Sequence, residues 1–336
     1  MSTGVTGRAA GRLTDLVSLG ALTSLVPRGV LDEAIEVHGC REERVRKLPS
    51  HLVVYLLIAL CLFPDDDYEA VAEKLTGMLE AIPGAQWQAP SRGAITQARQ
   101  RLGPEVLREI FTCLARPTAS AATPGAFLGR LRLMAIDGFI MDLPDTSTNV
   151  AEFGRDHGGD PTVYPQARVV TITECASHAP VAADIAGCWA GEQTLAYSLY
   201  EHLAPDMLLT ADRGFCSFYA WEQARRSGAH MLWRVQANLR LDHIRDLPDG
   251  SWLAVATRPD QRQSHKVRQR AAAKARPAPP QNLSGIVGHR FIGFLRGYPW
   301  LQPGGNRTPA EQGNGLRFAL GADRSALTGR FDLKYW

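Results

Sequence analysis

The 336-residue sequence predicts an α/β protein with an all-helical N-terminal domain at residues 1–116 and a mixed sheet domain at residues 126–240. Apolar residues recur at three- and four-residue steps over residues 13–114, which is the period of amphipathic helices. Short apolar runs separated by turn residues follow, as in strands. Between these two patterns, proline and serine at residues 116–125 indicate a linker. The length also favours more than one folding unit.

Punctuating residues place individual helices in the N-terminal domain. Pro49 and Ser50 open an apolar helix over residues 52–62, and Pro64 with the acidic residues after it interrupts the pattern. A second helix is predicted over residues 68–79. A third begins after Ser91 and ends near Gly103, and residues 105–114 form another.

The helix after Ser91 displays arginine and glutamine side chains. Its arginines, Arg92, Arg99 and Arg101, are candidate DNA-binding residues, because a capped helix after a break resembles the arrangement by which helix-turn-helix proteins place a helix in a DNA groove. An amphipathic surface helix would display the same residues outward. The sequence leaves both interpretations open.

The second domain predicts a mixed sheet. Strands are expected at residues 131–136, 168–175, 181–188, 207–211 and 230–236, and helices at residues 194–203 and 218–227. Three strands followed by helix, strand, helix and strand are typical of a mixed α/β sheet. A further strand is expected at residues 252–256. The glycines and prolines that crowd the chain beyond residue 285 predict an irregular C-terminal stretch over much of residues 241–336.

Composition excludes several classes of protein. Hydrophobic residues make up 45% and charged residues 21% of the chain, which is ordinary for a globular protein. The longest apolar run, residues 52–63, is too short to cross a bilayer, and no secretory signal is recognisable. Six cysteines without a C-x-x-C pair predict reduced thiols in a cytoplasmic protein and argue against zinc. A P-loop is absent.

Charge is distributed unevenly along the chain. The formal net charge is only +3, but residues 261–310 contain nine basic residues and no acidic residue. Such a strip could follow a phosphate backbone, and it is equally typical of a solvated loop.

Two aspartates follow apolar strands. Asp137 comes after the strand at residues 131–136, and Asp212 comes after the strand at residues 207–211. Carboxylates at the ends of neighbouring strands suit hard-metal coordination, and two of them can share a pair of magnesium ions in phosphodiester chemistry. A single Asp-Gly is otherwise most often the start of a turn.

Two acidic motifs surround these aspartates: residues 135–139, with residues 142–146 and 153–155, around Asp137, and residues 209–215 around Asp212. They resemble the first and second acidic motifs of the insertion sequence four family of DDE transposases. Residues 164–168 and 233–235 also match, and residues 13–114 resemble the helical N-terminal domain that accompanies the family. The resemblance covers residues 13–252.

This resemblance implies a ribonuclease-H-like fold whose first and fourth strands present Asp137 and Asp212 as catalytic metal ligands for Mg²⁺ or Mn²⁺. The implied reaction cuts the ends of a bacterial insertion sequence and joins them to target DNA. Arg213 would help to hold a DNA phosphate, or form an ordinary surface ion pair. The expected partners are double-stranded DNA, both terminal inverted repeats and target, and a second copy of the chain.

The third acid of the family is a glutamate on a late helix, in a motif of tyrosine, arginine and glutamate that follows a strand-rich insertion. Here Tyr298 is followed by no such motif, and Glu311, the only glutamate after Glu222, stands among glycine and proline. We therefore interpret residues 241–336 as part of the insertion followed by a truncated or frameshifted tail. Two alternatives stay open: a non-catalytic remnant that binds element ends or inhibits transposition, and a hydrolytic nuclease.

Because two carboxylates alone would hold a metal pair poorly, this sequence predicts little or no strand transfer. The measurement is an assay of purified protein with Mg²⁺ and a duplex that carries the ends of its own element. Cleavage of those ends would show the prediction to be wrong.

Overall fold

The computed structural model describes residues 19–44, 48–80, 90–156, 162–235, 241–246, 252–256, 283–288 and 291–294. The chain divides into two compact units, residues 1–115 and residues 116–336. None of the helices in these described ranges is both long enough and apolar enough to span a membrane.

The first unit is helical. Its helices are α1 (Leu19–Leu25), α2 (Arg28–Val37), α3 (Ser50–Leu62), α4 (Tyr68–Glu80), α5 (Arg92–Leu102) and α6 (Glu105–Leu114). They surround one apolar core, to which α3 contributes most because it is apolar on nearly every side. At its centre the buried hydroxyl of Tyr55 donates a hydrogen bond of 2.7 Å to the carbonyl of Val26, so this polar group is satisfied inside the core.

The predicted helix boundaries in this unit are confirmed to within two residues. Helix α3 begins at Ser50, whose hydroxyl donates to the Glu42 carboxylate at 2.7 Å. The Ser91 hydroxyl accepts from the amide of Ala94, which caps α5 as expected. Helix α5 ends at Leu102, and Gly103 directly after it has a φ of +70°, which suits glycine best.

The second unit is built on one mixed sheet. Its strands are β1 (Phe127–Leu128), β2 (Leu131–Asp142), β3 (Gln166–Glu174), β4 (Pro180–Gly187), β5 (Met207–Ala211), β6 (His230–Arg234), β7 (Leu241–Asp246), β8 (Trp252–Ala256), β9 (Leu283–Gly288) and β10 (Phe291–Phe294). Among the described strands the order is β4-β3-β2-β5-β6-β10-β9-β8-β7, with β1 paired to β2. The β2–β5 and β5–β6 pairs are parallel, and the other pairs are antiparallel.

Three short helices accompany the sheet: α7 (Ser147–Phe153), α8 (Glu192–Leu199) and α9 (Phe218–Arg226). Helices α8 and α9 lie on one face, where their apolar side chains join those of β2, β3, β5 and β6 in a buried cluster. Trp233 at its centre is fully buried and meets the Trp221 ring edge-on, with ring centroids 5.4 Å apart. Because α8 and α9 link β4 to β5 and β5 to β6, they bring β5 and β6 alongside β2 in the parallel sense.

Some predictions for this unit were wrong or incomplete. The first strand was expected to end before Asp137, but β2 continues to Asp142, because residues 138–142 pair with residues 166–170 of β3. Helix α7 was not predicted, and neither were β7, β9 and β10. These three strands, with the predicted β8, extend the same sheet beyond β6.

A buried carboxylate connects the segment before β1 to strands β2 and β3. Glu174, at the end of β3, has no exposed surface, and it accepts four hydrogen bonds. The donors are the backbone amides of Thr118 and Ala119, the Ser177 hydroxyl and the Arg132 guanidinium. Burial alone would raise the pKa of Glu174, but these hydrogen bonds hold it below its ordinary value. Glu174 thereby ties the segment before β1 to β2 and β3.

Replacement Glu174→Ala should lower the free energy of unfolding by about 3–5 kcal/mol, because it leaves Arg132 largely buried without its counter-charge. Urea unfolding of the full chain, followed by tryptophan fluorescence, measures this. Glu201→Ala is the matched control, since the Glu201 side chain is 78% exposed and should matter little. Equal stability of the two variants would contradict the role given to Glu174.

The same carboxylate predicts a pH dependence. Since its pKa is lowered on folding, its charge stabilises the fold fully above the ordinary value of 4.5, and this contribution is lost as the pH falls through the lowered pKa. The stability difference between the wild type and Glu174→Gln should therefore shrink on acidification below 4.5. A difference that stayed constant would show that the charge of Glu174 is not the cause.

Candidate functional site

The register of three neighbouring strands places Asp137, Asp212 and Arg234 side by side. In the parallel ladders Ile136 pairs with Ala211, and Ala211 pairs with Trp233. The next residue along each chain is therefore Asp137, Asp212 or Arg234. Adjacent strands are about 4.8 Å apart, so the two aspartates are neighbours. We call these three residues the carboxylate row.

The carboxylate row lies on the face of the sheet opposite α8 and α9. Side chains alternate between faces along a strand. Ile136, Ala211 and Trp233 belong to the apolar cluster under the two helices, so the residues that follow them point to the other side. There Phe139, two positions beyond Asp137, is half exposed. This end of the face is therefore open to solvent within the described part of the molecule.

Asp212 and Arg234 form an ion pair within the row. A guanidinium nitrogen of Arg234 lies 2.8 Å from Asp212 Oδ1, with the two side chains 47% and 54% exposed, respectively. Asp137 is exposed as well, and its Oδ1 accepts a hydrogen bond of 2.8 Å from the amide of Gly138. Each carboxylate keeps a second oxygen, so both can bind a cation from solvent.

Two buried residues hold the turn that carries Asp212 against the core of the sheet unit. Residues 212–214 are exposed, but Phe215 and Cys216 directly after them are buried in the cluster under the sheet. The amide of Phe215 donates to the Asp212 carbonyl at 3.1 Å, which closes the turn. Burial raises the pKa of the Cys216 thiol to about 11, so this cysteine stays protonated near neutral pH and is a poor nucleophile.

The first residues of α8 hold the same turn and β2 in place. Gln193 donates from Nε2 to the carbonyl of Gly214 at 2.7 Å. Glu192 accepts from Arg168 of β3 at 3.0 Å and lies against Gly138, where a Cβ would be 3.2 Å from Glu192 Oε1. The N-terminal end of α8 therefore contacts both the backbone next to Asp137 and the turn that carries Asp212.

Oxygen donors of this kind suit a hard divalent cation such as Mg²⁺. Asp137 on β2 and Asp212 directly after β5 supply two neighbouring carboxylates, which is what the predicted metal-binding role requires. Within the described ranges no group of three or more His, Cys, Asp or Glu side chains comes together as a metal site. Glu311, the only glutamate after Glu222 in the sequence, lies outside the described residues, as does most of the basic strip at residues 261–310.

The predicted DNA-binding arginines are divided between the two units. Arg92, Arg99 and Arg101 are exposed on α5 in the helical unit. Arg213 is exposed in the turn after β5. Arg99 donates to the hydroxyl of Tyr68 on α4 at 2.5 Å and stands over its ring, 5.7 Å from the ring centroid.

Sequence reasoning gave Arg234 no role, although a signal was present. Residues 207–211, a helix and residues 230–234 form a β-α-β unit, which places its second strand parallel to the first. The residue that ends the second strand then falls near the one that ends the first. The contacts of Glu192 and Gln193 had no comparable signal, because they depend on where α8 packs.

Comparison with known proteins agrees with the motifs. Residues 16–112 match the family model described as insertion element 4 transposase N-terminal. The chain is 31% identical over 255 residues to transposase InsG for insertion sequence element IS4 of Escherichia coli (strain K12), covering 72% of this chain and 56% of that protein. It is 24% identical over 196 residues to "Putative transposase InsZ" of the same organism, covering 58% and 63%.

The chain thus spans little more than half the length of the curated relatives it matches. The family model falls on the helical unit, and the more similar relative extends well into the sheet unit. The chain belongs to the insertion element 4 family of transposases.

Proposed function

We propose that this chain acts in DNA transposition, with the carboxylate row as the catalytic metal-binding centre of a DDE transposase. The observation that carries the proposal is the parallel register that makes Asp137 and Asp212 neighbours. The order β4-β3-β2-β5-β6, antiparallel on one side of β2 and parallel on the other, supports a ribonuclease-H-like core. In such a core the first and fourth long strands, here β2 and β5, carry the two aspartates.

Asp137 and Asp212 would hold Mg²⁺ or Mn²⁺ through their exposed oxygens. The bound ions would activate an attacking oxygen and stabilise the departing one at a phosphodiester. The part played by the protein is to keep two like charges side by side, one on β2 and one directly after β5. This arrangement is unfavourable without a cation, so it favours cation binding.

Arginines beside the row would hold the DNA phosphate. The Arg234 guanidinium is paired with Asp212 and half exposed, so it can turn to a phosphate oxygen when a cation takes over the carboxylate. Arg213, exposed in the adjoining turn, offers a second guanidinium. The substrate would be double-stranded DNA, both the terminal inverted repeats and the target, bound through Arg92, Arg99 and Arg101 in the helical unit. A homodimer would let two element ends be processed together.

A second candidate function is a DNA-binding protein without strand transfer. The observation that favours it is that the described residues bring two carboxylates together but no group of three metal ligands. The two candidates differ in one respect. Binding to inverted repeats without cleavage, unchanged by Asp137→Asn, indicates the second, whereas magnesium-dependent joining of ends indicates the first.

Mn²⁺ binding to the purified chain should be lost or strongly weakened by Asp137→Asn and by Asp212→Asn, because each removes one of the two charged donors. Titration calorimetry or the electron paramagnetic resonance signal of free Mn²⁺ measures this. Any magnesium-dependent nicking of a duplex carrying the element ends should disappear in the same two variants.

Asp206→Asn is the matched control for that experiment. Asp206 is an exposed aspartate directly before β5, whereas Asp212 directly follows it. The control should bind Mn²⁺ as the wild type does. Equal loss in all three variants, or in none of them, would refute the metal-binding role of the carboxylate row.

Arg234→Gln should tighten Mn²⁺ binding by about two- to fivefold, because an exposed ion pair of this kind contributes up to about 1 kcal/mol and competes for Asp212. Arg226→Gln removes the same charge from the exposed end of α9 and controls for the general change in net charge. If Arg234→Gln weakened the binding of Mn²⁺, the guanidinium would have to be assisting the site and not competing with the cation.

A further inference from the structure

Helix α5 carries more than the three arginines that the sequence singled out. Its buried side chains, Ile95, Ala98 and Leu102, face the core of the helical unit, and its other residues are exposed. The helix contains no acidic residue. It therefore presents most of its circumference to solvent with only neutral or positive side chains.

The exposed residues of α5 are grouped by side-chain type around the helix axis. Successive residues are about 100° apart around the helix. The side directly opposite the core is taken by Gly93, Gln97 and Gln100. Arg92 and Arg99 flank this stripe on one side, and Arg101 flanks it on the other. Two amide side chains thus lie along the ridge of the helix, between arginines.

From this arrangement we propose that the ridge of α5 enters the major groove of duplex DNA, with Gln97 and Gln100 reading base edges and the flanking arginines binding phosphates. A glutamine amide can both donate and accept, which matches the N6 and N7 pattern of adenine. An α-helix fits the width of the major groove, so side chains on its ridge meet bases and those on its flanks meet the backbones. This proposal rests on the proposed function, since it specifies how that DNA is recognised.

Two further observations fit this orientation of α5. Gly93, at the N-terminal end of the ridge, has open space where a Cβ would be, so the helix backbone can approach the groove closely there. Arg99 is held by the Tyr68 hydroxyl and stands over the Tyr68 ring, which fixes the direction of one flank. Since a guanidinium has five N–H donors, Arg99 can still donate to phosphate.

The test uses the full chain and duplex DNA alone. A random-sequence duplex library is selected on the wild-type protein, and fluorescence anisotropy then compares the most enriched duplex with a scrambled duplex of the same composition. Gln97→Ala/Gln100→Ala should reduce the preference for the enriched duplex by about 10- to 100-fold. It should leave the affinity for the scrambled duplex unchanged.

The arginines should behave in the opposite way. Arg92→Gln/Arg101→Gln should weaken binding to both duplexes by the same factor and lower the slope of log affinity against log salt by roughly one for each arginine removed. Arg108→Gln, at an exposed position on α6, is the charge control and should alter neither quantity. Circular dichroism melting of each variant verifies that the helical unit is folded.

Three outcomes would overturn the proposal: full sequence preference in the glutamine variant, an unchanged salt slope in the arginine variant, or equal binding of an RNA duplex of the enriched sequence. Mn²⁺ binding by the wild type, measured without DNA, separates this proposal from the catalytic one, because the carboxylate row lies in the other unit. A failure confined to the α5 variants would leave the carboxylate row untouched, and failed Mn²⁺ binding would leave the α5 ridge untouched.

Discussion

The parallel pairing of β2 with β5 is the constraint on which the candidate site depends. Met134 pairs with Leu209 and Ile136 with Ala211, and all four are buried under α8 and α9. A slip of one residue would turn these apolar side chains to the open face, at a large cost in burial. The hydrophobic core therefore fixes the register, and the register in turn fixes where the exposed carboxylates stand.

The same core stabilises the polar side chains that follow it. Phe215 is buried directly after the turn that carries Asp212, and Trp233 is buried directly before Arg234. The row thus consists of exposed groups directly next to buried apolar side chains. Such a scaffold holds β2 and the turn after β5 in place, so that the like charges stay close together.

The sequence predicted one of the two strand ends at this site correctly and the other wrongly. The end of β5 was predicted correctly, because an apolar run meets Asp212, an arginine and a glycine, and nothing further pairs there. The end of β2 was predicted wrongly, because Asp137 and Gly138 by themselves favour a turn. Pairing with β3 overrides that preference, and only the tertiary structure contains this pairing. The contact of Glu192 with Gly138 was beyond sequence reasoning for the same reason, since it depends on the packing of α8.

Charge distinguishes how the two proposed DNA-binding surfaces would work. The carboxylate row is negative even with Arg234 beside it, so it repels a phosphate until a cation offsets the two aspartates. Helix α5 has no acidic residue and needs no such compensation. DNA binding by α5 should then be independent of divalent cations, whereas the proposed approach of DNA to the carboxylate row would require them. Recognition of a DNA end would in this way be separable from the chemistry proposed for it.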